Sequence, residues 1–116
     1  MIKTKAIFHI DNLSNWSLLL KNVSNLLNVI DITNSEVEVL ANSEAVKTYN
    51  PINYSDKEVI FMKDLNNKGV KFVACNNSLN SLNLKKEDLI EFIDIVPVGV
   101  LELIIKQQEG YSYIKP

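Results

Sequence analysis

The 116-residue chain contains no arginine, one cysteine, one histidine, three glycines and three prolines. Each scarcity removes a class of function. Nucleic-acid binding leans on clustered positive charge and on the bidentate guanidinium. Here twelve lysines are scattered against fourteen acids, for a net charge of -2, so nucleic acid is not an expected partner. A single cysteine builds no internal disulfide framework, and one Cys with one His leaves too few ligands for a zinc site, so neither a metal nor another cofactor is expected. A reducing, cytoplasmic home is the simplest expectation for such a chain. The longest apolar stretch, Ile93 to Ile105, is broken by Asp94, Pro97, Gly99 and Glu102 and falls short of a membrane span. The opening MIKTKAIFHID is interrupted by His9 and Asp11 and does not read as a secretory signal. Solubility without a membrane partner follows.

What remains is a chain with 47% hydrophobic residues, enough for one domain over residues 1–116 with a real core. Strand and helix patterns alternate along it. KTKAIFHI (3–10) reads as a first strand, and Ser14 is expected to cap an amphipathic helix running to about Ile30, with Trp16, Leu19, Leu20, Val23, Leu26, Leu27 and Ile30 on one stripe. VEVLA (37–41) is a second strand. The connection from Asn42 to Tyr54 is longer than a usual strand-to-helix loop and is a candidate contact surface, with Ala45, Val46 and Tyr49 forming a helical turn inside it. A capping box from Ser55 to Glu58 starts the next helix, and Gly69 ends it. VKFVA is a third strand, nearly all apolar, so both its faces should be covered. A short helix around Ser78 to Leu82, a turn near Lys85, a strand DIVP (94–97), a helix closed by Gly110 and a strand YSYIK complete the chain. This alternation predicts a three-layer α/β/α sandwich on a mostly parallel five-stranded sheet.

In VKFVACNNSLNSL the apolar run stops at Cys75 and passes directly into a polar, helix-starting sequence. A thiol at a strand-to-helix junction meets unpaired backbone N–H groups and the positive end of the helix dipole, which favour the thiolate. The alternative is core packing, because free cysteine behaves as a small buried hydrophobe. Both readings stay open on position alone.

Residues that follow parallel strands share one rim of the sheet. His9, Asp11 and Asn12 close the first strand; Asn42, Ser43 and Glu44 follow the second; Asn76 and Asn77 flank Cys75; Val98 and Gly99 follow the fourth. His9 with Cys75 is the sole base–nucleophile pair in the chain, and Asp11 lies too near His9 in sequence for a triad partner. Gly99 either lets N–H groups approach an anion or eases a turn. Glu44 reads as a solvated loop residue, and Tyr111 and Tyr113 share a face of the last strand, fit for packing or a subunit contact.

FHID with Trp16, NVSNLLN, VEVLANSEAV, GVKFVACNNSL, the passage from KKEDL to VPVGVLELI, and QQEGYSYIKP together resemble the DsrE/DsrF-like superfamily, and its YchN-like branch more than its dedicated sulfur-relay subunits. The resemblance implies a mostly parallel α/β/α domain assembled as homotrimers or hexamers. In sulfur-relay members a cysteine after the central strand accepts sulfur as a persulfide and passes it on. Cys75 matches that position, which would make sulfur donor and acceptor proteins its partners. His9 and the N–H groups of Asn76 and Asn77, with Gly99, are expected to line the site. NNSLNSL lacks the arginine or second cysteine of some relatives. A non-catalytic oligomeric module binding a small ligand or protein is the alternative, and a peroxide-sensing thiol would need a resolving partner from elsewhere.

Overall fold

The computed structural model describes residues 2–52 and 56–116. Its elements are β1 (Lys5–Ile10), α1 (Trp16–Leu27), β2 (Glu36–Ala41), α2 (Asp56–Asn67), β3 (Lys71–Cys75), α3 (Asn76–Ser81), β4 (Asp94–Val96), α4 (Gly99–Gln108) and β5 (Ser112–Ile114). Short 3₁₀ turns occupy Leu13–Asn15, Ile32–Asn34, Ser43–Tyr49 and Lys86–Asp88. The strands lie in the order β4-β3-β2-β1-β5, and every pairing is parallel, including β5 on β1. The fold is the expected α/β sandwich on a five-stranded sheet.

The order of the strands decides where the helices go. From β1 to β4 the chain steps in one direction across the sheet, and it then jumps from that edge to β5 at the other. Parallel crossovers keep one hand, so reversing the direction of travel moves the connecting helix to the opposite face. Accordingly α1, α2 and α3 pack Leu19, Leu20, Val23, Met62, Leu65 and Leu79 onto Phe8, Val39 and Phe72. On the other face α4 alone packs, through Leu103, onto Ile7, Leu40, Val73 and Tyr111. β3 is covered on both sides, as its composition predicts: Phe72, Val73, Ala74 and Cys75 are all buried.

The larger core is braced by aromatic edge-to-face contacts running Trp16–Tyr49–Phe72–Phe92, with centroids 5.4, 6.4 and 5.9 Å apart. Two polar handles on these rings are satisfied. Trp16 Nε1 donates to the Ala45 carbonyl at 3.0 Å, and Tyr49 Oη donates to the Val73 carbonyl at 3.0 Å. Each such ring, fully buried, contributes about 1.5–3 kcal/mol from area alone. They pin the 3₁₀ segment Ser43–Tyr49 to the core, and with it the rim residues Asn42, its N-cap, and Ser43.

Several boundaries differ from the sequence expectation. Asn12, not Ser14, caps the first helical turn, its Oδ1 accepting the Ser14 N–H at 2.8 Å and the Ser14 hydroxyl at 2.7 Å. The turn that follows is 3₁₀, so α1 begins at Trp16. It ends at Leu27 because Ile30 is drawn into a bridge with Ile2. β1 begins at Lys5, since the Thr4 N–H turns aside to Ser35 Oγ at 2.9 Å. β3 gains Cys75, which pairs with Val96, and α3 starts directly at Asn76. Gly69 terminates α2 at φ +114°, a conformation that favours glycine. The capping box begins at Ser55, outside the described residues. No helix among the described residues is long and apolar enough to cross a membrane.

Candidate functional site

After β3 the chain turns to the face of α1–α3, and after β4 it turns to the face of α4. The carboxyl ends of β3 and β4 therefore flank the crevice where an open α/β sheet conventionally takes its ligands. Cys75 is the last residue of β3, and alternation from Val73 directs its side chain toward α4. Gly99 is the first residue of α4, and its N–H donates to Cys75 Sγ at 3.3 Å. A Cβ built on Gly99 would lie 3.0 Å from Cys75 Cβ, 3.4 Å from the sulfur and 3.6 Å from Asn42 Cβ. Glycine stands there because the helix start approaches the cysteine too closely for a side chain.

The thiol responds to two opposed influences. Burial pushes its pKa up, while the Ser78 hydroxyl, together with the N–H groups of Ser78, Gly99 and Asn77, pulls it down; the donors prevail, and the pKa falls below the ordinary 9.0. Cys75 occupies the N-cap position of α3 without closing a side-chain capping bond, so Asn77 and Ser78 act mainly through their dipoles. Ser78 Oγ accepts the Ser43 N–H at 2.7 Å, which leaves its own proton to be offered to sulfur. Ser43 itself sits at φ +50°, a left-handed conformation uncommon for serine. The sulfur is not laid open: Cys75 is 5% exposed. Beside it, Ser43, Glu44, Asn77, Ser78, Ser81 and Leu82 line a hollow of about 260 Å³.

His9 lies two strands away, on β1, on the same sheet face. Its Nε2 meets Asn42 Oδ1 at 3.0 Å and its Nδ1 meets Tyr113 Oη at 2.6 Å. With Asn42 Oδ1 as acceptor, the neutral ring carries its proton on Nε2 and accepts the Tyr113 hydroxyl at Nδ1. Asn42 thus stands between His9 and the Cys75–Gly99 contact. Asp11 turns away to Lys115 at 3.2 Å, and Glu44 pairs with Lys47 at 3.5 Å in solvent. Asn76 opens α3 half-buried and is not among the groups that act on the thiol.

Among the sequence candidates, then, Cys75, Gly99 and Asn77 converge, and His9 reaches them only through Asn42. Ser78 and Tyr113 were not legible as site groups. The signal for Ser78 was present in Cys-x-x-Ser: once cysteine is the N-cap, the third helical residue is the one whose side chain reaches back. For Tyr113 there was none, because its place beside His9 depends on β5 returning to β1.

Residues 15–116 match the model of the DsrE/DsrF-like family. No curated protein matches the chain by sequence. A structure described as a protein of unknown function, MTH1491 from Methanobacterium thermoautotrophicum, is 33% identical, with 98% of this chain and 100% of that one covered, at a TM-score of 0.86. The ychN protein from E. coli shares the fold at 14% identity and a TM-score of 0.72, both chains covered in full. By the extent of the family match, the chain belongs to the DsrE/DsrF-like family.

Proposed function

We propose that this protein is a sulfur carrier in which Cys75 takes up sulfur as a persulfide and hands it to an acceptor thiol. The observation that carries the reading is the Gly99 N–H donating to the Cys75 sulfur at 3.3 Å, with the Ser78 hydroxyl and the N–H groups of Ser78 and Asn77 acting on the same thiol to lower its pKa. Membership of a family associated with sulfur relay supports it. In the forward step the Cys75 thiolate attacks the terminal sulfur of a donor persulfide. A new S–S bond forms, the donor's S–S bond breaks, and the donor leaves as a thiolate. Incoming sulfur keeps the proton or passes it to water. The acceptor thiolate repeats the exchange in reverse, so electrons balance without an external oxidant. Asn77, Ser78 and Gly99 donors hold the anion at each stage, and the His9–Asn42 pair borders the site. Incubating the protein with a persulfide donor and weighing it intact tests the reading.

Assembly as a homotrimer or hexamer belongs to the same proposal. On α4 the outward residues Val100, Leu101, Ile104 and Ile105 are 57, 49, 47 and 37% exposed, an apolar face suited to contact with another copy. A reducing cytoplasm would keep the lone thiol available to its donor and acceptor proteins.

The 5% exposure of Cys75 favours a second reading, a non-catalytic module that binds a small ligand in the adjacent hollow. Alkylation separates the two. Rapid modification of Cys75 near neutral pH fits the carrier, and resistance in the folded state fits the module.

A further inference from the structure

Four side chains line up along the carboxyl rim on the α4 face, one from each of four adjacent strands or the turn that follows it. Ile7, Leu40 and Val73 mark that face, so alternation places His9, Asn42 and Cys75 on it as well. Tyr113 joins them from β5, where it pairs with Ile7. Ala41 pairs with Ala74, and extending that register by one residue sets Asn42 beside Cys75. The row across β5, β1, β2 and β3 is therefore Tyr113, His9, Asn42, Cys75. Hydrogen bonds join the first three: Tyr113 Oη meets His9 Nδ1 at 2.6 Å, and His9 Nε2 meets Asn42 Oδ1 at 3.0 Å.

The backbone of Asn42 is fixed on both sides. Its N–H donates to the Ile10 carbonyl at 3.0 Å, and its carbonyl accepts the Ala45 N–H at 3.2 Å. It is the N-cap of the 3₁₀ segment, a position where asparagine side chains favour a capping bond, yet its side chain makes none and goes to His9 instead. A tyrosine hydroxyl donating to Nδ1 leaves the proton of the neutral ring on Nε2, and that N–H takes the oxygen end of the Asn42 amide. The two ends of a planar carboxamide diverge, so holding Oδ1 against β1 turns Nδ2 away from β1. Among the described residues nothing accepts from Nδ2, and it stays open to solvent.

We infer that Tyr113 and His9 are positioning residues that aim the Asn42 amide as a donor to anionic groups meeting the Cys75 sulfur. As part of sulfur transfer, this role rests on the carrier reading. The resting thiol is already served by Ser78, Gly99 and Asn77. A persulfide places a second sulfur about 2.05 Å beyond the first, and that outer atom needs a donor of its own. Asn42, the cross-strand neighbour with a free N–H, supplies it.

Two measurements on the whole protein test this. His9 is the sole histidine, so the nitrogen NMR signals of its neutral ring belong to it alone. The wild type should show the Nε2–H form with Nδ1 shifted by an accepted hydrogen bond, and Tyr113→Phe should lose that shift and admit the Nδ1–H form. The second measurement is the rate of Cys75 alkylation by iodoacetate divided by the rate with neutral iodoacetamide, a ratio in which thiol ionisation and access cancel. Asn42→Ala should lower the ratio roughly fivefold, the worth of one hydrogen bond. Tyr113 is 40% exposed, so Tyr113→Phe leaves the core intact and the charge unchanged, and it should lower the ratio in the same direction. In an Asn42→Ala background it should add nothing, because it acts only through Asn42. A wild-type ring protonated at Nδ1, or an Nδ1 signal that Tyr113→Phe does not move, overturns the alignment. Equal ratios in all variants, effects that simply add, or a wild type that resists both reagents overturn the donor role. Sulfur loading enters neither readout, so failure of the carrier reading would be seen separately.

Discussion

The Gly99 amide donates to the Cys75 sulfur across the junction where the chain changes sheet faces, at 3.3 Å. Residues 24 positions apart in sequence meet there because β4 pairs directly with β3, bringing Val96 beside Cys75 and the start of α4 over it. One donor comes from α4 and the others come from α3, so the thiol is held between two helix starts that approach from opposite faces.

Gly99→Ala should destabilise the protein and disturb the thiol together. The added methyl carbon would fall 3.0 Å from Cys75 Cβ, in a place where neither neighbour is the free end of a long side chain. Overpacking of this kind costs about 1–3 kcal/mol, offset by roughly 0.5–1 kcal/mol from alanine's better helix propensity. Urea unfolding should report a net loss, and the pH profile of alkylation should move upward as the N–H donor is displaced.

Ser78→Ala removes the hydroxyl that heads the groups lowering the thiol pKa. Cys75 should then react more slowly near neutral pH, with its alkylation midpoint nearer 9.0, while the melting temperature changes little. Linkage supplies a second readout. Folding lowers the thiol pKa, so ionisation favours the folded state; the gain is complete above 9.0 and is lost as pH falls through the folded value. The wild type should therefore gain melting temperature relative to Cys75→Ser as pH rises, and Ser78→Ala should gain less.

Tyr49→Phe tests the brace behind the rim. Its buried hydroxyl donates to the Val73 carbonyl at 3.0 Å, and losing that bond should cost about 1 kcal/mol in chemical unfolding with the aromatic contacts retained. Retained stability would indicate that the hydroxyl does not hold the 3₁₀ segment to the sheet.

Assembly should depend on the outer face of α4. Leu101 and Ile104 are 49 and 47% exposed, so replacing either with Glu leaves the core untouched. Light scattering should find a trimer or hexamer for the wild type and smaller species for Leu101→Glu and Ile104→Glu. A wild-type monomer at micromolar concentration would reject the assembly.

Much of this architecture was legible in the chain because its signals are local. The nearly all-apolar sequence of β3 announced a strand covered on both faces, and the Gly69 stop and the stripe on α1 carry their own periodicity. The carboxyl-edge position of Cys75 followed from the same strand. What stayed hidden depends on which strands become neighbours. The Gly99–Cys75 contact needs β4 beside β3, and the His9–Tyr113 contact at 2.6 Å needs β5 beside β1. Nor did Glu38 stand out, because its burial beside Lys106 depends on α4 lying over β2. The cap of the first helical turn moved from Ser14 to Asn12 for a local reason, since either side chain can cap and only the backbone angle decides.

Intact-protein mass spectrometry after incubation with a persulfide donor tests the central claim most directly. The account predicts that the wild type gains the mass of one sulfur atom, that a thiol reductant removes it, and that Cys75→Ser gains none while keeping its fold. A wild type that remains at its unmodified mass with every persulfide donor offered would contradict it.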